Sequence, residues 1–145
     1  MTYRAAMKPI RALTILLAGI AVAVMPHGAA AIDQADKIAN PVAEFSGIDK
    51  ITGRIITFDV YIDETVQFGA LQITPRVCYS RVQDLPPGSS TFVEVDEITL
   101  DRKIRRIFAG WMFADSPGLN AIEHAVYDVW LKGCKADSEV PPPQT

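Results

Sequence analysis

Three acidic residues lie close together in an otherwise apolar stretch and are the first candidates for chemistry. Glu94 and Asp96 alternate with valines, and Glu97 follows directly. Since alternate residues of a strand share one face, Glu94 and Asp96 are expected close enough to hold a divalent cation or to act as an acid and base pair. We favour the simpler interpretation of a solvated acidic face that pairs with basic side chains across a hairpin. The basic residues are Arg102, Lys103, Arg105 and Arg106.

His124 is a second candidate, because Asp128 follows it by four residues. On a helix this spacing would let the carboxylate orient the imidazole, but it loses that meaning on a strand or in a loop. A hydrogen-bonded structural histidine is therefore favoured, with a pH-responsive contact as the alternative. The whole chain has two histidines and two cysteines. These are too few for a zinc site or an iron–sulfur cluster, so we predict no metal and no cofactor.

An aromatic segment that runs into a turn-rich one is the third candidate. Trp111, Met112 and Phe113 precede a loop that contains Pro117 and Leu119. Alternation sends Trp111 and Phe113 to one face of a strand and Met112 to the other, so at least one set is expected to fill the core. The alternative is that Trp111, Phe113, Pro117 and Leu119 contact a partner, because apolar residues beside turn-forming ones can stay exposed.

The two cysteines, Cys78 and Cys134, are predicted to form a disulfide. An even pair in an exported chain meets an oxidising compartment, where such a pair is oxidised. A redox-active or nucleophilic thiol is the weaker alternative, since the chain has no Cys-x-x-Cys pair. His124 would be the only histidine left to act as its base once an exported chain has lost residues 1–31, which include His27.

Export itself is indicated by the amino terminus, where three basic residues precede an apolar run from Ala12 to Met25. The run of about 14 residues is too short to cross a bilayer of roughly 30 Å, and Ala29–Ala31 offers the small residues that a signal peptidase requires. Residues 1–31 are therefore predicted to be a signal peptide that is cleaved near Ala31, leaving no stable membrane anchor. A retained anchor is the alternative.

Cleavage would make the chain distinctly acidic. The formal charge of the full chain is -3. Residues 1–31 carry three cations, Arg4, Lys8 and Arg11, and no acid, so their removal changes the net charge to -6. This balance argues against a nucleic-acid partner and against attraction to anionic lipid headgroups.

The candidate residues must be positioned by strands, because the dominant hydrophobic period between residues 48 and 136 is two. We expect about six strands and a small antiparallel sandwich or barrel, an all-β fold. Residues 32–47 carry mixed charge and an Asn40–Pro41 break, and are predicted to be a flexible leader. Residues 137–145 contain three successive prolines and are predicted to be a disordered tail, with recognition by a proline-binding groove as the alternative.

Two local predictions concern strand register. Val66 and Phe68 hold one phase of the alternation and the residues after Ala70 hold the other, which a bulge at Gly69 would reconcile within one strand. If Asp101 and Arg102 are the two residues of a hairpin turn, Glu97 falls opposite Arg106.

The sequence resembles an uncharacterised family of short exported alphaproteobacterial proteins, the domain of unknown function 2155 family. The resemblance spans Lys50 to Cys134 and implies a periplasmic address. It implies no assigned activity, and it carries over no catalytic or ligand-binding residue. The segments that carry it are Lys50–Arg54, Gln67–Leu71, Arg76–Tyr79, Phe92–Glu97, Gly110–Phe113, Ser116–Leu119 and Tyr127–Leu131.

Two classes of function follow from these observations. We favour a noncatalytic periplasmic binding or assembly module, whose partner would be an unknown protein of the Gram-negative envelope. The alternative is a small envelope hydrolase that acts on a glycan or peptidoglycan through paired carboxylates, with His124 or Asp128 as further candidates. A carrier of a soluble ligand is a third possibility, which would need a barrel with an internal cavity.

The signal peptide makes a direct prediction about the processed chain. We expect the exported protein to begin at Ile32, or at Ala31 if cleavage follows Ala30. Intact mass spectrometry of the protein from the periplasmic fraction checks this. A mass that still includes the apolar run would mean a membrane-anchored protein instead.

Overall fold

The computed structural model describes residues 36–82 and 88–144. The predicted signal peptide lies outside the described residues. Within these two ranges the chain forms eight strands: β1 (Lys37–Ala39), β2 (Val42–Asp49), β3 (Arg54–Tyr61), β4 (Val66–Phe68), β5 (Leu71–Arg81), β6 (Ser89–Ile98), β7 (Ile104–Phe113) and β8 (Tyr127–Lys135).

The strands form two antiparallel sheets. The larger sheet has the order β1-β5-β6-β7, with β4 also paired to β5, and the smaller sheet has the order β3-β2-β8. The two sheets share one hydrophobic core, so the fold is a β-sandwich. The all-β prediction is confirmed, with eight strands where about six were expected. No helix in the described part of the chain is long and apolar enough to span a membrane.

The core consists of the side chains that alternate inwards from each strand. Phe45, Val60, Leu71, Val93 and Leu131 are buried completely or nearly so. Burying a side chain of this size contributes about 1.5–3 kcal/mol relative to leaving it in water. Because alternate residues of a strand point to opposite faces, the same pattern fixes which side chains lie on the outer faces of the sandwich.

The predicted flexible leader is wrong for residues 36–47, which contain β1 and most of β2. β2 is the central strand of the smaller sheet, between β3 and β8. Asn40–Pro41 is the point where the chain passes from the larger sheet to the smaller one, rather than a domain boundary. The alternation is hidden in β2 because Gly47 lies beneath the ring of Phe68, where a Cβ atom would come within 2.7 Å of a ring carbon.

Gly69 belongs to a turn, and the predicted bulge there is wrong. Phe68 pairs with Leu71 across β4 and β5, so Gly69 and Ala70 form a two-residue hairpin loop. Gly69 has φ of +57°, as the first position of such a tight turn requires. A Cβ atom at Gly69 would also clash with the ring of Tyr127, which packs the hairpin against the smaller sheet.

The β6–β7 hairpin has a three-residue loop, so the predicted pairing of Glu97 with Arg106 is wrong by one residue. Thr99 N donates to Lys103 O at 2.9 Å, and Arg102 closes the loop with φ of +62°. Glu97 therefore pairs with Arg105, and Arg106 pairs with Asp96.

The tail after β8 is bound to the protein over part of its length, so the prediction of disorder is wrong for Ser138 and Val140. Ser138 Oγ donates to Asp59 Oδ2 at 2.6 Å, and Tyr61 Oη donates to Val140 O at 2.7 Å. These contacts lie on the outer face of the smaller sheet, because Asp59 and Tyr61 alternate with the buried Val60.

Cys78 on β5 and Cys134 on β8 form the predicted disulfide. The bond joins the two sheets, since β5 belongs to the larger sheet and β8 to the smaller one. It closes a sequence separation of 56 residues.

Reducing this bond should destabilise the sandwich strongly. Closing a loop of this length removes unfolded-state entropy worth about 4 kcal/mol, which corresponds to a fall in melting temperature of roughly 15 °C. Thermal unfolding followed by circular dichroism, with and without reductant, measures the shift. A variant with both Cys78→Ala and Cys134→Ala is the control, because reductant should not change its melting temperature further. Thiols that react with an alkylating agent in the exported, unreduced protein would contradict the account.

Candidate functional site

The acidic residues do not converge on one site. Glu94 and Asp96 lie on the outer face of β6, whereas Glu97 lies on the inner face near the end of the sandwich, opposite the buried Leu71. Glu97 Oε2 accepts a hydrogen bond from Arg105 Nη2 at 2.6 Å. The paired-carboxylate hypothesis therefore rests on Glu94 and Asp96.

Each carboxylate of that pair is bound by arginine. Glu94 Oε2 accepts from Arg76 Nη2 at 2.7 Å, and Glu94 Oε1 lies 3.0 Å from Arg106 Nη1. Arg106 Nε donates to Asp96, so one guanidinium bridges both carboxylates. Within the described residues, no group of three histidine, cysteine, aspartate or glutamate side chains is arranged to hold a metal ion.

The electrostatics oppose a role for Glu94 as a general acid. Hydrogen bonding from Arg76, with the positive charge of Arg106, lowers the pKa of Glu94 below its usual value. A general acid at neutral pH requires the opposite shift. The arrangement stabilises ionised carboxylates on a sheet surface and suits neither proton transfer nor cation binding.

His124 holds the backbone that leads into β8. Its Nδ1 accepts hydrogen bonds from Val126 N at 3.1 Å and Tyr127 N at 3.0 Å. Because Nδ1 is an acceptor, the proton of the neutral ring lies on Nε2, which is 3.2 Å from Glu97 Oε1. The imidazole also stacks on the Tyr127 ring with centroids 5.4 Å apart. Both ring nitrogens have partners, so His124 has the geometry of a structural histidine.

Three aromatic rings form a cluster on the outer face of the larger sheet. Tyr79 on β5, Phe92 on β6 and Trp111 on β7 lie side by side across the strands. Trp111 stacks on Tyr79 with centroids 6.2 Å apart and meets Phe92 edge-on at 5.7 Å. Trp111 is 38% exposed. These rings are therefore available at the surface, in contrast to those buried between the sheets.

The cluster forms the floor of a groove with a basic rim. The larger of the two cavities in this groove has a volume of about 430 Å³ and is also lined by Lys37 and Arg76. A second cavity of about 150 Å³ shares Lys37 and Tyr79 with the first and reaches Arg81 and Phe113. Lys37 Nζ lies 5.9 Å from the centroid of the Tyr79 ring, within cation–π range. We call these two adjoining cavities the aromatic groove.

The structure brings together part of the predicted partner-binding set. Trp111 and Phe113 line the aromatic groove, whereas Pro117 and Leu119 lie in the exposed loop after β7 and line neither of its cavities. Leu119 is 66% exposed.

The groove residues of β1, β5 and β6 were not predicted from the sequence. The available signal was alternation, which places Phe92 on the same outer face as Glu94 and Asp96. The missed residues are Lys37, Tyr79 and Phe92.

Another cavity lies on the outer face of the smaller sheet, where Lys135 binds two of the carboxylates that line it. It has a volume of about 740 Å³ and lies between β3 and the bound tail. Lys135 Nζ is 2.7 Å from Glu44 Oε1 and 3.1 Å from Asp59 Oδ1. These contacts raise the pKa of Lys135 above its usual value. The one cation among the described residues that line this cavity is therefore already bound to Glu44 and Asp59, and the aromatic groove is the stronger candidate for binding.

Comparison with known proteins agrees with the resemblance given by the sequence motifs. The model of the DUF2155 family, described as an uncharacterized protein conserved in bacteria, matches residues 43–134, from β2 to β8. An uncharacterized protein of Rickettsia prowazekii (strain Madrid E), RP359, is 24% identical over 87 residues. The alignment covers 60% of this chain and 56% of the relative, so the chain spans little more than half of that relative's length. No solved structure matches the chain.

The arginine pairs predict a change in acid sensitivity. In Arg76→Gln, the pKa of Glu94 should rise towards its ordinary value of 4.5 because the main cause of its lowering is removed. A lowered carboxylate pKa stabilises the fold fully above about pH 4.5, and this contribution is lost as pH falls through the folded-state value. The unfolding free energy of the wild type should therefore fall more steeply below pH 4.5 than that of Arg76→Gln.

NMR titration of the Glu94 side chain and acid unfolding followed by circular dichroism measure the two effects. Arg54→Gln on the smaller sheet is a control and should leave both unchanged. An unaltered Glu94 titration in Arg76→Gln would contradict the assignment.

Proposed function

We propose, from the premise that the chain belongs to the DUF2155 family of uncharacterised bacterial proteins, that it is an exported, noncatalytic binding module of the periplasm. The amino-terminal apolar run and the disulfide between the sheets support export to an oxidising compartment. The aromatic groove on the outer face of the larger sheet is the observation that carries the binding role.

The chemistry of the groove favours an extended polypeptide that contains proline and acidic residues. Flat aromatic rings, such as those of Tyr79 and Trp111, are the surfaces on which proline side chains pack in polyproline II recognition. Such a ligand loses little conformational entropy on binding, because it is already extended. Among the described residues that line the groove, Lys37 and Arg81 outnumber the one acidic residue, Asp115, and this net positive charge favours acidic residues beside the prolines.

The alternative of an envelope hydrolase has less support. Arg106 bridges Glu94 and Asp96, and the pKa of Glu94 is lowered, whereas a glycosidase needs one carboxyl group with a raised pKa. His124 uses both ring nitrogens in contacts that hold the start of β8. Catalysis would require these ion pairs and hydrogen bonds to break. Binding in the aromatic groove requires no such change, since its rings are already at the surface.

The proposal is tested with a defined probe, a fluorescein-labelled peptide of three prolines flanked on each side by two glutamates. We expect the oxidised protein to bind it, with Trp111→Ala weakening affinity about 30-fold, as for loss of an aromatic anchor worth about 2 kcal/mol. Fluorescence anisotropy measures affinity, and thermal unfolding checks that the variant is folded. Replacing the glutamates of the probe by lysines should weaken binding as well.

Leu119→Ala is the matched control, because Leu119 is an exposed apolar side chain that lines neither cavity of the groove. It should bind the probe like the wild type. The proposal fails if no binding is detected at millimolar protein, or if folded Trp111→Ala binds as tightly as Leu119→Ala.

A further inference from the structure

We infer that a second copy of this chain supplies a ligand of the aromatic groove, through the segment Glu139–Pro143 of its tail. This inference rests on the proposed function, since it names one occupant of the same groove. It would make the protein self-associating, with the groove of one copy holding the tail of another.

The tail has the chemistry that the groove selects. Glu139, Val140 and Pro141–Pro143 form a short apolar and proline-rich segment with an acidic start. In the described residues this segment is exposed and has no regular secondary structure. Three successive prolines favour the polyproline II conformation without help from hydrogen bonds, so their binding surface exists before contact.

The bound part of the tail presents the prolines to solvent. Tyr61 Oη donates to Val140 O, and Ser138 Oγ accepts from Val140 N at 3.1 Å. Ser138 is itself held by Asp59. The prolines therefore start from a fixed point on the outer face of the smaller sheet.

The same anchor keeps the prolines away from the groove of their own copy. Pro143 follows Val140 by three residues, so it lies at most about 10 Å from that residue in an extended chain. The groove is on the opposite outer face, across two sheets that pack about 10 Å apart and carry side chains on both surfaces. Contact within one chain would require the tail to leave Asp59 and Tyr61.

A second copy meets no such restriction. The donor surface and the acceptor surface are different faces of one molecule, so the contact is heterologous and runs head to tail. Repetition of this contact builds an open chain or a closed ring. Charge supports it as well, because the described residues that line the cavity that Glu139 would enter include two cations, Lys37 and Arg81, against one acidic residue, Asp115.

The test uses two complementary variants of the full, exported and oxidised protein. The tail variant combines Pro141→Ala, Pro142→Ala and Pro143→Ala, and the groove variant is Trp111→Ala. Sedimentation velocity over a range of concentrations should show association of the wild type and at least a tenfold weaker association of each variant alone. An equimolar mixture should form dimers and no larger species, because only one intact tail and one intact groove remain to combine.

Melting temperatures establish that both variants are folded, and Leu119→Ala serves again as the variant that should associate like the wild type. The inference is overturned if the wild type stays monomeric at several hundred micromolar, or if the mixture associates no better than the separate variants. Binding of the glutamate–proline probe by such a monomeric protein would leave the proposed function standing. Failure of the probe to bind would remove both.

Discussion

Alternation along each strand is the constraint on which the rest of the structure depends. In a two-layer sandwich one set of alternate side chains must fill the core, so the other set is committed to the outer faces. On β7, Met112 lies in the core and its neighbour Trp111 lies on the outer face. On β6, Val93 and Val95 are buried, and they alternate with the outward Phe92, Glu94 and Asp96. The disulfide between Cys78 and Cys134 fixes the two layers together and so preserves this division.

The all-β prediction rests on the strands in which the period of two is clearest. These are β3 and β6, where valine, isoleucine and phenylalanine alternate with polar side chains. β2 was missed although it is central, since Ser46 and Gly47 are buried beneath neighbours that only the folded structure supplies. The loops that set register were missed for a related reason. One added loop residue shifts the cross-strand pairs next to the loop, and in this hairpin the shift ends at the bulge between Val95 and Asp96. The composition of a loop does not show its length directly.

The candidate site was only partly predictable, because the register between strands decides which side chains lie beside one another. Trp111 and Phe113 were identified from one segment, but Lys37, Tyr79 and Phe92 come from three other strands that register brings beside them. The carboxylates that first suggested catalysis share this outer face, where arginines from β5 and β7 neutralise them. One face of one sheet therefore has two parts, an ion-pair lattice and an aromatic groove. The carboxylates of the first part are bound by arginines, so the aromatic groove is the part that we propose binds another molecule.

The two tryptophans offer a direct measurement of this central claim, because they lie on opposite outer faces. Trp111 lines the aromatic groove on the larger sheet, whereas Trp130 pairs with Ser46 on the smaller sheet. In a ¹H–¹⁵N NMR titration with the glutamate–proline peptide, the account predicts a progressive shift of the Trp111 indole resonance and an unchanged Trp130 indole. A shift of the Trp130 indole with an unmoved Trp111 indole would contradict it.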